Sequence, residues 1–198
     1  MKNVFITLSI LALAGCSTMV EQATEYKVTT QIKEKSFTSE SCKDKTLRVR
    51  DVFASDSLMS DDMKYIIDTD KELAYTQSKW AISPDKILTA EILKSVRASG
   101  IFASVHNSKS RIYTNLSLES DVEEFMQYFD KDTKNSISKV VITFTLVDNR
   151  TKKILGTKRI SKEIKTDTLN AAGGVKALNK AFSEVLDENN IWLDEVCK

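Results

Sequence analysis

The residues with the widest chemical range in this chain are three cysteines and one histidine. Cys16 follows a short cationic start (Lys2), an almost wholly apolar run from Val4 to Ala14, and Gly15. Small residues directly behind an apolar run mark a point of cleavage, and Cys16 stands at that point. Cys42 and Cys197 stand near opposite ends of the chain beyond Cys16. With His106 at an unrelated spacing they make no zinc site. His106 comes after an apolar stretch and precedes Asn107-Ser108, where a lone histidine reads as a surface or loop residue rather than a base. There is no G-x-S-x-G, no P-loop and no dinucleotide fingerprint. Gly173-Gly174 lacks the flanking pattern of a phosphate loop and reads as easing the start of a helix. The acidic run Glu119 to Glu124 and the Ser55 to Asp62 loop lack calcium-loop spacing and read as solvated charge. The expectation is a protein that is not an enzyme, with no metal and no cofactor.

The start of the chain decides the compartment. Lys2, the apolar centre (Val4, Phe5, Ile6, Leu8, Ile10, Leu11, Leu13) and the small residues behind it are the three parts of a secretory signal. Eleven residues are too few to cross a bilayer, which takes about 20. Leu13-Ala14-Gly15-Cys16 resembles the lipobox of bacterial lipoproteins. That resemblance implies that residues 1–15 are removed, that the Cys16 sulfur takes a diacylglycerol, and that its amine is acylated. Each buried methylene contributes about 0.8 kcal/mol, so several chains give a durable anchor where one does not. Ser17, in place of the aspartate that favours inner-membrane retention, implies sorting to the outer membrane with the domain facing the periplasm. Residues 16–25 are polar and read as a lipidated start and flexible tether.

Removing residues 1–15 takes Lys2 and no acid, which leaves 28 basic and 28 acidic residues. This balance gives no electrostatic case for nucleic acid or for an anionic membrane surface. One domain over residues 26–198 is long enough for a sizeable core. Export also bears on Cys42 and Cys197: they are either two free thiols at frayed ends or, as an oxidising compartment favours, a disulfide.

Periodicity supplies the elements. Tyr26, Val28, Thr30 and Ile32 alternate with polar residues as a short strand. Thr46 to Phe53 is the first firm strand, with Leu47, Val49 and Phe53 on one face. Met63 to Asp68 and Glu72 to Gln77, joined by Thr69-Asp70-Lys71, read as a hairpin. Ser83 as cap, Pro84 in the first turn and Gly100 as stop bound a helix with the stripe Ile87, Leu88, Ile92, Leu93, Val96. Arg111 to Asp130 reads as a long strand whose apolar phase changes at the acidic run, the mark of a bulge. Lys139 to Asp148 is apolar on both faces and therefore central, with Ile154 to Ile164 as its partner. Thr166 or Asp167 caps a last helix with the stripe Val175, Leu178, Phe182, Val185, Leu186, Leu193, Val196, which Asn189-Asn190 interrupts. These elements make an α+β two-layer domain, an antiparallel-dominated mixed sheet packed against two amphipathic helices. Tyr65, Tyr75, Trp80 and Trp192 read as core or rim residues rather than a ligand cage. Leu58 and Met59, apolar on a polar loop, either face a partner or fold back onto the domain.

Residues 26–193 together resemble the auxiliary lipoprotein component of ABC-type transport systems, the family that accompanies Mla/Pqi-like MCE lipid transporters. The resemblance rests on Cys16 with its lipobox, Tyr26-Lys-Val, Leu47-Arg-Val-Arg-Asp-Val, Met63-Lys-Tyr-Ile-Ile, Leu73-Ala-Tyr, Ser78-Lys-Trp-Ala, Ser99-Gly-Ile-Phe-Ala-Ser-Val, Val140 to Asp148 and Trp192-Leu193. It implies a non-catalytic, outer-membrane-anchored subunit that docks an MCE-domain substrate-binding protein, itself joined to an ABC permease and ATPase. Phospholipid or another hydrophobic solute would move along that assembly. Tyr65, Tyr75 and Trp80 match aromatic positions of the family, and homo-oligomerisation stays open. A stand-alone lipid- or small-ligand-binding lipoprotein and an envelope-assembly lipoprotein are the other readings of the same residues.

Overall fold

The computed structural model describes residues 22–32, 37 and 40–198. Cys16 and the expected signal peptide lie outside them. The strands are β1 (Thr24–Tyr26), β2 (Thr46–Val49), β3 (Phe53–Ala54), β4 (Asp62–Ile67), β5 (Lys71–Trp80), β6 (Ser104–His106), β7 (Leu116–Phe129), β8 (Ser136–Asp148) and β9 (Ile154–Lys165). The helices are α1 (Pro84–Ser99) and α2 (Ala171–Val196). The chain is an α+β fold with a mixed sheet packed against helices.

β7 is the axis of the sheet. One of its edges takes β2, β3 and β4 in succession, all parallel, through Leu47↔Leu116, Phe53↔Asp121 and Tyr65↔Gln127. Its other edge takes β8 antiparallel along the whole length, and β9 lies beyond β8. The short pairings, β1 on β5 and β6 on β2 among them, are parallel. The long ladders and the β4–β5 hairpin are antiparallel. β8 lies between two partners, as a strand apolar on both faces must, and Val140, Val141, Ile142, Phe144 and Leu146 are fully buried.

The expected bulge in β7 is present between Val122 and Glu124. Leu118 and Val122 face the helices before it and Phe125 after it, so one inserted residue restores the buried phase. Glu123 is that residue. It projects to the open side of the sheet, where Arg159 Nε donates to both its oxygens (3.1 and 2.8 Å) and Thr143 Oγ1 donates at 2.7 Å. The Arg159 bond, and then the Thr143 bond, hold the Glu123 carboxyl below its usual range. This member of the acidic run is therefore paired rather than merely solvated.

Both helices lie on one face. The stripe of α2 packs Leu178, Phe182, Val185, Leu186 and Leu193 over β7–β9, and α1 buries Leu88, Ile92 and Val96. Gly100 takes φ 68° and ends α1, a conformation that glycine adopts without a Cβ penalty.

Several local expectations are corrected. The first firm strand breaks after Val49, because the Val52 amide bonds to Thr89 Oγ1 of α1 (3.0 Å) instead of to β7. The break shifts the alternation by one, so Val52 and Ala54 turn inward and Phe53 turns out, 70% exposed. β7 begins at Leu116, which leaves Ile112 exposed ahead of it. The Ser83 side chain makes no cap bond; its carbonyl instead accepts from Lys86 and Ile87. The cap of α2 is Asn170, whose Oδ1 accepts from the Gly173 amide at 3.0 Å. Thr166 is turned away to bond with Ser136. Asn189-Asn190 does not interrupt α2, since Asn190 Nδ2 donates to Ser95 Oγ of α1 (2.9 Å) and joins the two helices. Cys42 and Cys197 are bonded as a disulfide, which ties the turn before β2 to the end of α2.

Candidate functional site

Among the described residues the helix layer packs chiefly on β7–β9 and β2, with little contact to the β4–β5 hairpin. From Lys71 to Gln77 every residue of β5 except Tyr75 is exposed. On this part the sheet carries its own aromatic facing. The Tyr65 ring lies 4.5 Å from that of Tyr75 and 5.5 Å from that of Phe129. Register explains the grouping: Tyr65 pairs with Leu73 and with Gln127, so Leu73, Tyr75 and Phe129, two residues along their strands, share its face.

The stack is tied inward by a polar chain. Tyr75 Oη donates to Gln127 Oε1 (2.9 Å), and Gln127 Nε2 donates to Ser136 Oγ (2.9 Å). Gln127 is buried and sits against Gly174 in the first turn of α2, where a Cβ would stand 2.0 Å from Gln127 Oε1. The glycine pair therefore does more than start a helix: Gly174 makes room for the amide that anchors the aromatic face. Burial, with Tyr65 and Tyr26 as neighbours, pushes the Tyr75 hydroxyl pKa well above the usual tyrosine range.

A second element brings the Asp56–Leu58 turn beside the hairpin. Ser57 Oγ bonds to both Glu72 oxygens (3.0 Å each), and Lys64 Nζ lies 2.8 Å from Glu72 Oε1. The Lys64 bond is the main cause holding the Glu72 carboxyl below its usual range, with Ser57 assisting. This clamp separates the two residues at the loop tip. Leu58 folds into the core at 5% exposure, and Met59 stays out at 48%.

The expected contact residues thus divide. Met59 follows the turn that Ser57 ties to Glu72, whose side chain alternates to the face opposite Leu73, while Tyr65 and Tyr75 come to one side of the hairpin. Leu58 does not, and neither does Trp80, which is 4% exposed with its ring 5.8 Å from Phe125. Of the two readings of Trp80, core residue or partner contact, the core one holds: its ring packs against Phe125 while β5 pairs with β1 at that point through Tyr26↔Trp80. Leu73 (45% exposed) and Phe129 belong to the face although sequence reasoning does not single them out; their alternation with Tyr75 and Gln127 is the available signal. Such a surface can hold an apolar partner segment. It brings together no nucleophile and base, and among the described residues no group of three metal-ligating side chains exists.

Other depressions lie away from the hairpin. One of ≈590 Å³ lies between residues 29–31 and α2, and its lining includes Lys165, Asp167, Lys176 and Asn179. Another of ≈220 Å³ lies at the far end of the sheet. His106 is half-buried and bonded to Ser104 Oγ at 2.9 Å.

No family model and no curated protein matches the chain. Solved structures do. A Xanthomonas campestris protein of the DUF330 family superposes with TM-score 0.77 at 16% identity, over 88% of this chain and 96% of that one. An uncharacterized protein gives 0.62 at 15% identity over 81% and 99%. A hypothetical protein from Chlamydia trachomatis gives 0.53 at 7% identity over 78% and 98%. At these identities the likeness is one of fold.

Proposed function

We propose that this chain is a non-catalytic accessory lipoprotein of an MCE-type, Mla/Pqi-like ABC transport system, holding the substrate-binding component at the outer membrane from the periplasmic side. The carrying observation is the face of the β4–β5 hairpin, where Tyr65, Leu73, Tyr75 and Phe129 are grouped by register and Leu73 stays 45% exposed. Apolar and aromatic side chains grouped on a rigid strand pair suit a docking surface, since aromatic anchors supply much of the energy of protein interfaces. The Cys42–Cys197 disulfide suits an exported protein. Cys16 stands eight positions before β1, which pairs with β5. An acylated Cys16 would keep the hairpin edge within roughly 30 Å of the bilayer, given about 3.5 Å per extended residue. Phospholipid or another hydrophobic solute is the cargo class that the transport reading carries.

The test is photo-crosslinking in native membranes from a residue replaced at Leu73, with a control at Glu184 on α2. The reading expects an MCE-domain protein attached at Leu73 and not at Glu184, with its permease and ATPase recovered together with the chain. Recovery of none of these three from gently solubilised membranes refutes it.

A further inference from the structure

Where β2 and β7 begin and β8 ends, a pocket of ≈220 Å³ is lined by Arg48, Arg50, Tyr113, Thr114, Ser117, Asn149 and Lys152. Three of these residues are cations and none is an acid. Elsewhere in this charge-balanced chain several strand cations pair with acids, as Lys64 with Glu72, Arg159 with Glu123 and Lys162 with Glu188. Arg48, Arg50 and Lys152 have no ion-pair partner among the described residues. Arg48 donates through one terminal nitrogen to the Ile112 carbonyl, and its Nε is buried with no hydrogen-bond partner among the described residues.

The acids nearest in sequence are otherwise engaged. Asp148 accepts from the Thr151 amide (2.6 Å) and hydroxyl (2.9 Å), and Asp51 accepts from Ser108 Oγ (2.6 Å). Arg50 also borders a second depression that holds Asp51, Glu119 and Asp121, so its charge is partly offset. Arg48 and Lys152 line only the cationic one of the two.

The polar lining is held in place before any ligand arrives. Asn149 Nδ2 donates to the Thr114 carbonyl (2.9 Å) and to Thr114 Oγ1 (3.1 Å), and Asn149 Oδ1 accepts from Ser117 Oγ (2.9 Å). Thr114 is 2% exposed, and its hydroxyl, accepting from Asn149, keeps its own hydrogen for another acceptor. Lys152 is set by its turn, at φ 60° with its amide on the Asp148 carbonyl (2.8 Å).

We infer that this pocket binds a phosphate group. A guanidinium with an unused N–H, a second guanidinium, an ammonium and a hydroxyl donor, with no carboxylate among them, is the donor set that a phosphate oxyanion takes. Tyr113, 67% exposed at the rim, gives an organic substituent on the phosphate something to lie against. The group has two sources, free phosphate or the headgroup of a phospholipid.

The full chain in a non-ionic detergent is titrated with inorganic phosphate, and separately with a six-carbon-chain phosphatidylglycerol. Calorimetry and amide shifts are the readouts. Saturable binding with shifts centred on Thr114, Ser117, Asn149 and Lys152 is expected for at least one probe. Binding of inorganic phosphate assigns the site to the phosphate group alone; binding of only the short-chain lipid assigns it to a headgroup. The double variant R50Q/K152Q changes exposed side chains and keeps the fold, checked by an unchanged melting midpoint, and weakens binding at least tenfold. No saturable binding of either probe, shifts centred elsewhere, or undiminished binding by the double variant overturns the inference.

Discussion

Gly174→Ala tests whether the aromatic face of the hairpin is anchored through α2. By helix propensity alone the change is favourable, by about 1 kcal/mol, because alanine loses less backbone entropy than glycine. The tertiary environment opposes it. The new Cβ would stand 2.0 Å from Gln127 Oε1 and 2.8 Å from its Cδ. Gln127 must swing away, and its bonds to Tyr75 and Ser136 then break. Gln127 and Ser136 are each 3% exposed, so the freed groups do not all regain water. Each buried polar group left unpaired costs about 1–3 kcal/mol. Two bonds lost against one propensity gain leave a net loss of roughly 2–3 kcal/mol. For a domain of this size that lowers the melting midpoint by roughly 5–10 °C. Urea denaturation of the wild type, Gly174→Ala, Gln127→Ala and the double variant measures it. In the double variant the clash is absent, so Gly174→Ala on the Gln127→Ala background is neutral or stabilising, and the cycle returns a coupling of roughly 2–4 kcal/mol. A single Gly174→Ala variant more stable than wild type refutes the close packing of Gly174 on Gln127.

Cys42→Ser with Cys197→Ser, or reduction of the native pair, removes a bridge between positions 155 residues apart; a loss of about 2–5 kcal/mol is expected by denaturant titration with and without reductant. Trp80→Ala empties a core position and costs about 3–5 kcal/mol, whereas Met59→Ala, on the exposed tip, stays within about 0.5 kcal/mol; thermal melts of the two separate core from surface. Glu123→Gln probes the bulge. The folded-state carboxyl is held below its usual value by Arg159 and Thr143, so its contribution is present at neutral pH and is lost as pH falls through the folded pKa. The pair is largely solvent-facing, so the variant loses less than about 1 kcal/mol at pH 7. That difference shrinks towards pH 3 in urea titrations run at several pH values; a gap that widens on acidification contradicts the pairing.

The elements with strong periodicity were legible because their pattern and their burial have the same cause. Val140, Ile142, Phe144 and Leu146 of β8 are apolar and fully buried because they face α2 in the middle of the sheet. The β7 bulge was legible for the same reason: Leu118 and Phe125 cannot both face the core without one extra residue between them. The misplaced features are those in which a side chain answers to a distant partner. Thr166 has the right chemistry for a cap, but it is held by Ser136, and the capping of α2 falls to Asn170. Phe53 carries the right alternation for a strand that continues. Thr89, far along the chain, takes the Val52 amide and turns Phe53 outward.

The same division runs through the candidate site. Composition and periodicity by themselves determined an α+β domain with two amphipathic helices, a β4–β5 hairpin with tyrosines in both strands, and an even cysteine pair that an exported chain would join. These depend on residue type and on neighbours close in sequence. Which of the apolar residues stay outside was decided only by the tertiary structure. Leu58 and Met59 are adjacent, yet the clamp of Ser57 on Glu72 sends one inward and leaves the other out. Trp80 could be a core or a contact residue by its sequence, and it is buried because its ring meets Phe125 of the distant strand β7. Arg48, Arg50 and Lys152 look like scattered charges in a balanced chain, and only the parallel pairing of β2 with β7, next to the end of β8, gathers them around one pocket without an acid. The physical reason is common to all three cases: burial and charge environment are set by contacts between distant segments, and no local pattern carries them.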